Sequence, residues 1–93
     1  MPIRSFRHDG LERFFRTKSK AGIQPKHAQR LNLQLGMLDA SIHPSDMNLP
    51  GWYWHALRGK DAGRWSVRVN GNWRVTFTFE GSDAAQVDYE DYH

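Results

Sequence analysis

The sequence predicts an α+β domain in which two N-terminal helices pack on one face of a curved, mostly antiparallel sheet of about four strands. Three observations carry this. Apolar residues recur at helical spacing up to Ala40. From Trp52 onward they alternate with polar ones, the period of a strand with one buried face. Between them, Ser41 to Gly51 is dense in turn formers: Pro44, Ser45, Asp46, Asn48, Pro50 and Gly51.

Taken in order, Ile3 to Phe6 reads as a short first strand. Asp9 is the expected N-cap of a first helix over Gly10–Ser19, with Glu12 completing a capping box. Leu11, Phe14 and Phe15 give that helix its core side, and Gly22 follows its end. Gln24-Pro25 opens a second helix that runs to about Ala40. Ala28, Leu31, Leu35 and Leu38 form its stripe, widened by Leu33 and Met37, with Lys26, Arg30, Asn32 and Gln34 opposite. Gly36 is expected to permit a close approach. Ser45-Asp46 suits a single helical turn within the connection. Trp52 to Leu57 is a strand, and Arg58 to Gly63 a polar turn.

The central hairpin is Arg64 to Phe79. Trp65, Val67 and Val69 share one face of its first strand; Trp73, Val75, Phe77 and Phe79 share one face of its second. A three-residue loop, Asn70-Gly71-Asn72, pairs Val69 with Trp73 and Val67 with Val75, keeping every large apolar side chain on one side. Gly71 or Asn72 then takes a positive φ. The same register sets Arg68 opposite Arg74, and like charges directly across a strand pair repel. A fold does not need that pairing; a surface that meets phosphate can use it. After a turn at Gly81-Ser82-Asp83, Ala85, Val87 and Tyr89 alternate with Gln86, Asp88 and Glu90 in a last strand.

At 93 residues, positions 1–93 form one domain with a single modest core. The absence of cysteine rules out a disulfide framework and a thiolate zinc site, and fits a reducing cytoplasm. No apolar run is long enough to cross a membrane, and the opening residues are not a secretory signal, so no membrane association and a cytoplasmic location are expected. The net charge of +3 is unevenly spread. Residues 1–35 hold eight Lys or Arg against two acids, whereas 80–93 hold five acids and no Lys or Arg. A basic half suits a polyanionic partner.

The chain has no nucleotide-binding glycine motif and no nucleophilic cysteine, and its histidines (His8, His27, His43, His55, His93) lack the spacing of a metal site. Neither metal nor cofactor is expected. What remains is a set of cations, histidines and a tyrosine near strand ends: His55, Arg58, Arg68, Arg74, Tyr92 and His93, with Asp91 beside the last two. Such groups suit a plain binding domain, and they also have the parts for metal-independent RNA cleavage. The ribose 2′-OH attacks its neighbouring phosphate, which requires a base, an acid for the 5′ oxygen, and cations for the charge growing on phosphorus.

At these residues the chain resembles a known family. The segments His55-Ala56-Leu57-Arg58-Gly59, Gly63-Arg64-Trp65-Ser66-Val67-Arg68-Val69-Asn70, Trp73-Arg74-Val75-Thr76-Phe77 and Asp88-Tyr89-Glu90-Asp91-Tyr92-His93 are similar to those of HigB toxins of the RelE superfamily. The opening Ile3-Arg4-Ser5-Phe6 and Met37-Leu38-Asp39-Ala40 fit as well. The resemblance implies a microbial-RNase-like fold and the toxin of a type II toxin–antitoxin pair. It implies a nuclease that cleaves translated messenger RNA in the ribosomal A site and is held by a helix-turn-helix antitoxin of the HigA kind, with operator DNA met only through that antitoxin. The family's active-site positions carry onto His55, Arg58, Arg74, Asp91, Tyr92 and His93. Arg58 stands where relatives often have lysine, which keeps the charge and disfavours a base role. Ribosomal RNA contacts are expected from Arg13, Arg16, Lys18 and Lys20, with Lys60 and Arg68 added. The alternative is a non-catalytic RNA- or ribosome-binding module, or a degenerate toxin acting only through its antitoxin.

Overall fold

In a computed structural model, residues 3–92 are described. The elements are α1 (Asp9–Thr17), α2 (Ala28–Ala40), β1 (His55–Ala56), β2 (Trp65–Asn70), β3 (Trp73–Glu80) and β4 (Asp83–Asp91). The four strands form one antiparallel sheet in the order β1-β2-β3-β4. The expected α+β architecture is thus the observed one. The opening residues add parallel bridges to β4, Ile3 to Ala84 and Phe6 to Val87. Short 3-10 turns occupy Pro25–His27, Pro44–Met47 and Gly59–Asp61. Two residues of the expected Trp52–Leu57 strand pair in the sheet, His55 and Ala56.

Leu11 and Phe14 from α1, and Leu31, Leu35 and Leu38 from α2, form one buried cluster with Val67, Val75, Phe77, Val87 and Tyr89 of the sheet. The helices therefore cover the face that alternation marked as apolar. On α1 the cap is His8, not Asp9: its Nδ1 accepts the Leu11 N–H at 3.0 Å. Glu12 pairs with Arg16 at 3.0 Å instead of closing a capping box. The helix stops at Thr17 because Lys18 adopts a left-handed conformation and returns its N–H to the Phe14 carbonyl at 2.8 Å.

Three expectations for α2 are corrected. Leu33 is exposed and lies off the packed stripe. Gln34 is fully buried, and its Nε2 donates to the Arg68 carbonyl at 2.7 Å, so it ties the helix to β2. Gly36 has open space where a Cβ would stand. The close backbone approach falls elsewhere: a Cβ on Gly10 would lie 2.5 Å from the Gly22 carbonyl oxygen.

The hairpin keeps Val67 opposite Val75 and Arg68 opposite Arg74. Beyond that pair the register shifts, and Asn70 rather than Val69 faces Trp73. Val69 is the extra residue of a bulge. It stays buried, and the turn tightens to Gly71-Asn72, with Gly71 at φ +58°. A second bulge sets Gln86 and Val87 against Phe77, because Thr76 pairs with Asp88 but Thr78 pairs with Ala85. Gln86 sits there at φ +50°.

Candidate active site on the polar face of the sheet

Cross-strand partners share a face, as do residues two apart. The face opposite the helices therefore carries His55 on β1, Ser66 and Arg68 on β2, Arg74 and Thr76 on β3, and Asp88 and Glu90 on β4. Tyr92 continues that parity past the strand end, where its N–H donates to the Asn72 carbonyl at 2.8 Å. The face is polar as expected, but its centre is closed to water: Ser66 and Thr76 are fully buried, and Arg64 is 5% exposed, while His55 is exposed at the edge.

Arg64 is the organising side chain, and the sequence reading passed over it. It precedes β2 by one residue and shares parity with Ser66 and Arg68, a signal that could have found it. One terminal nitrogen donates to the Thr76 hydroxyl at 2.8 Å and to the Gln86 carbonyl at 3.0 Å. The left-handed Gln86 of the β4 bulge supplies that carbonyl. Thr76 in turn donates to Glu90 at 2.6 Å. Burial, then the nearby Arg7, pulls the Arg64 pKa down; Glu90, Asp88 and Asp61 oppose this. Its other terminal nitrogen is buried without a hydrogen-bond partner, as are one terminal nitrogen of Arg74 and the Ser66 hydroxyl. Among the described residues no carboxylate lies within ion-pair distance of Arg64, Arg68 or Arg74.

His55 is exposed, and its Nδ1 lies 2.9 Å from the Tyr53 carbonyl. A carbonyl only accepts, so this bond fixes the proton on Nδ1 and leaves Nε2 with a free lone pair in the neutral ring. Tyr92 is half-buried. Its pKa is raised by burial first, then by Glu90, Asp61 and Asp88, with Arg64 opposing, so the phenol keeps its proton at neutral pH. Arg68 lies over the Tyr53 ring, 5.3 Å from its centroid.

The remaining expected site residues are dispersed. Arg58 is exposed at the start of the 3-10 turn between β1 and β2, and Lys60 lies within that turn. Asp91 pairs with Trp73, which by parity puts it on the helix-bearing side with Tyr89. His93 lies outside the described residues. Arg13, Arg16, Lys18 and Lys20 belong to the helical layer, on the other side of the sheet from Arg74. Among the described residues no three His, Cys, Asp or Glu side chains gather as a metal site would require, and no helix is long and apolar enough to cross a membrane.

Fold and site together define a small α+β domain whose sheet presents guanidinium groups, an imidazole and a phenol on one face. Comparison with known proteins narrows this. The family described as RelE-like toxin of type II toxin–antitoxin system HigB matches residues 4–93. The chain is 36% identical over 91 residues to the Endoribonuclease HigB of Proteus vulgaris, covering 98% of this chain and 99% of that protein. The chain belongs to the HigB-like family of RelE-like toxins from type II toxin–antitoxin systems.

Proposed function

We propose that this toxin is an endoribonuclease that cuts messenger RNA on the translating ribosome, in the A site, and so arrests growth from the cytoplasm. The observation that carries this is the set of cations on the polar face, Arg64, Arg68 and Arg74, with no carboxylate within ion-pair distance among the described residues. Cations left without a counter-charge favour an approaching phosphate.

In the reaction, His55 Nε2 takes the 2′-OH proton, and the 2′ oxygen bonds to the adjacent phosphorus. The bond from phosphorus to the 5′ oxygen breaks, and Tyr92, or His93 beyond it, returns a proton to that oxygen. The products are a 2′,3′-cyclic phosphate and a 5′-hydroxyl end. Arg74 stabilises the charge growing on phosphorus, Arg64 adds a fixed positive charge behind it, and Arg58 reaches the RNA from the rim. Asp91 orients one of the two proton-transfer groups, Tyr92 or His93. No step calls for a metal. The ribosome supplies substrate orientation that the sparse catalytic set lacks. The basic residues of α1 and its following turn (Arg13, Arg16, Lys18, Lys20) meet ribosomal RNA, as do Lys60 and Arg68. A helix-turn-helix antitoxin of the HigA kind binds the toxin, and operator DNA is met only through it.

The test is to induce wild type, Arg74→Ala and a His93 deletion without antitoxin and to map transcript 5′ ends. Wild type is expected to arrest growth and create new ends phased with codons, and both variants to abolish them. Intact transcripts bearing stalled ribosomes would instead show a binding module. Wild-type cleavage by both variants would overturn the site assignment.

A further inference from the structure

Tyr53 is exposed and is not part of the hydrophobic core. It lies between the buried Trp52 and the half-buried Trp54, which stacks on Trp65 with centroids 5.0 Å apart. Tyr53 itself is 63% exposed. The backbone there is left-handed, φ +51°, a conformation that is uncommon outside glycine, asparagine and aspartate. That twist turns the ring out of the sequence of tryptophans and into solvent. Two contacts then fix it beside the reacting groups. Its carbonyl accepts from His55 Nδ1 at 2.9 Å, and the Arg68 guanidinium covers the ring at 5.3 Å. Arg68 stands directly across the strand pair from Arg74. The carbonyl bond would serve with any residue at position 53; the exposed ring would not.

From this geometry we infer that Tyr53, capped by Arg68, is a stacking platform for one unpaired nucleobase of the RNA whose phosphate Arg74 holds. The inference rests on the nuclease reading and deepens it. A flat aromatic ring and a flat guanidinium both stack on any base, so the platform is tolerant of base identity and favours purines by their larger face. Arg68, left without a carboxylate, can contact the base or the neighbouring phosphate. A docking protein segment would use the same ring differently, since it would not depend on a base.

The cleanest variant is Tyr53→Gly. Glycine accepts the positive φ without strain and keeps the carbonyl that holds His55. Tyr53→Trp restores a stacking face. Each is assayed on ribosomes carrying a short messenger, by the half-saturating toxin concentration and the maximal single-turnover rate. Tyr53→Gly is expected to raise the half-saturating concentration about tenfold or more, with the maximal rate held. Tyr53→Trp should return it to within about twofold of wild type. A messenger with an abasic nucleotide at the stacked codon position should erase the difference between wild type and Tyr53→Gly. If Tyr53→Gly matches wild type, or loses maximal rate without rescue by Trp, there is no platform and the nuclease reading stands. A Tyr53→Gly defect that persists on every abasic messenger also overturns the platform. If wild type cuts nothing, both readings fall together.

Discussion

Replacing Arg74 with glutamine should move activity and stability in opposite directions. The side chain faces Arg68 across the strand pair, an opposition of like charges worth about 0.2–1 kcal/mol against the fold. One of its terminal nitrogens is buried and unpaired. Glu90 is its in-register neighbour on β4, but no ion pair forms between them within 4.0 Å, so little attraction is lost. Arg74→Gln is therefore expected to stabilise the protein by about 0.5–1 kcal/mol. For a domain of this size that raises Tm by about 2–8 °C. The same change removes the cation proposed to stabilise the transition state, and on that reading cleavage should fall about 100- to 1000-fold, the loss seen when one such stabilising group is deleted. Denaturant titration and single-turnover cleavage of a ribosome-bound messenger read the two effects separately. A loss of stability beyond about 1 kcal/mol, with activity falling only in proportion to the folded fraction, would refute the reasoning and make Arg74 a structural residue.

Three further outcomes are expected. Gly10→Ala should destabilise although alanine is the better helix former, because its Cβ would meet the Gly22 backbone at 2.5 Å; calorimetry should show Tm lowered by about 4 °C or more. Thr76→Val keeps the shape but cuts the link from Arg64 to Glu90, so denaturant unfolding should show a loss of about 1–3 kcal/mol, with Thr76→Ser close to wild type. His27 is buried against the Tyr89 hydroxyl, and burial, then Lys26, pulls its pKa below 6.5. The unfolded chain therefore takes up a proton before the native one does. His27 should make stability fall as pH drops through 6.5 toward the lower native pKa, by at most about 1.4 kcal/mol per pH unit, and His27→Gln should flatten that slope in unfolding titrations.

The sheet was legible because alternation is a local property. Val67, Val75 and Phe77 declare their face by period alone, and the Arg68–Arg74 opposition follows from the same parity. What failed depended on three-dimensional neighbours. Leu33 and Gln34 exchanged roles because the helix's rotation is set by what the sheet offers: the Arg68 carbonyl gives Gln34 a partner, and nothing covers Leu33. The bulge at Val69 could not be read because both loop lengths keep the upstream pairs aligned, and they differ only at the last rung. Arg64 was passed over as the residue before a strand, although its parity with Ser66 marked it. Asp91 was grouped with Tyr92 by adjacency, while alternation sets it beside Tyr89.

On the polar face of β2 and β3, unfavourable electrostatics gathers among neighbouring residues. Arg64 is buried without a carboxylate in contact, Arg68 faces Arg74, and Ser66 is buried with its hydroxyl unpaired. Two of the basic residues in and after α1 differ: Arg16 has Glu12, and Lys18 bonds Asn32 and sits over the Phe14 ring. A cation with a partner gains less from a phosphate than one without. Arg64, Arg68 and Arg74 therefore have more to gain from an RNA phosphate than Arg16 or Lys18. Within the polar face the contributions to stability differ in sign: Arg74, facing Arg68, is expected to cost stability, while Thr76, bonded to Arg64 and Glu90, is expected to supply it.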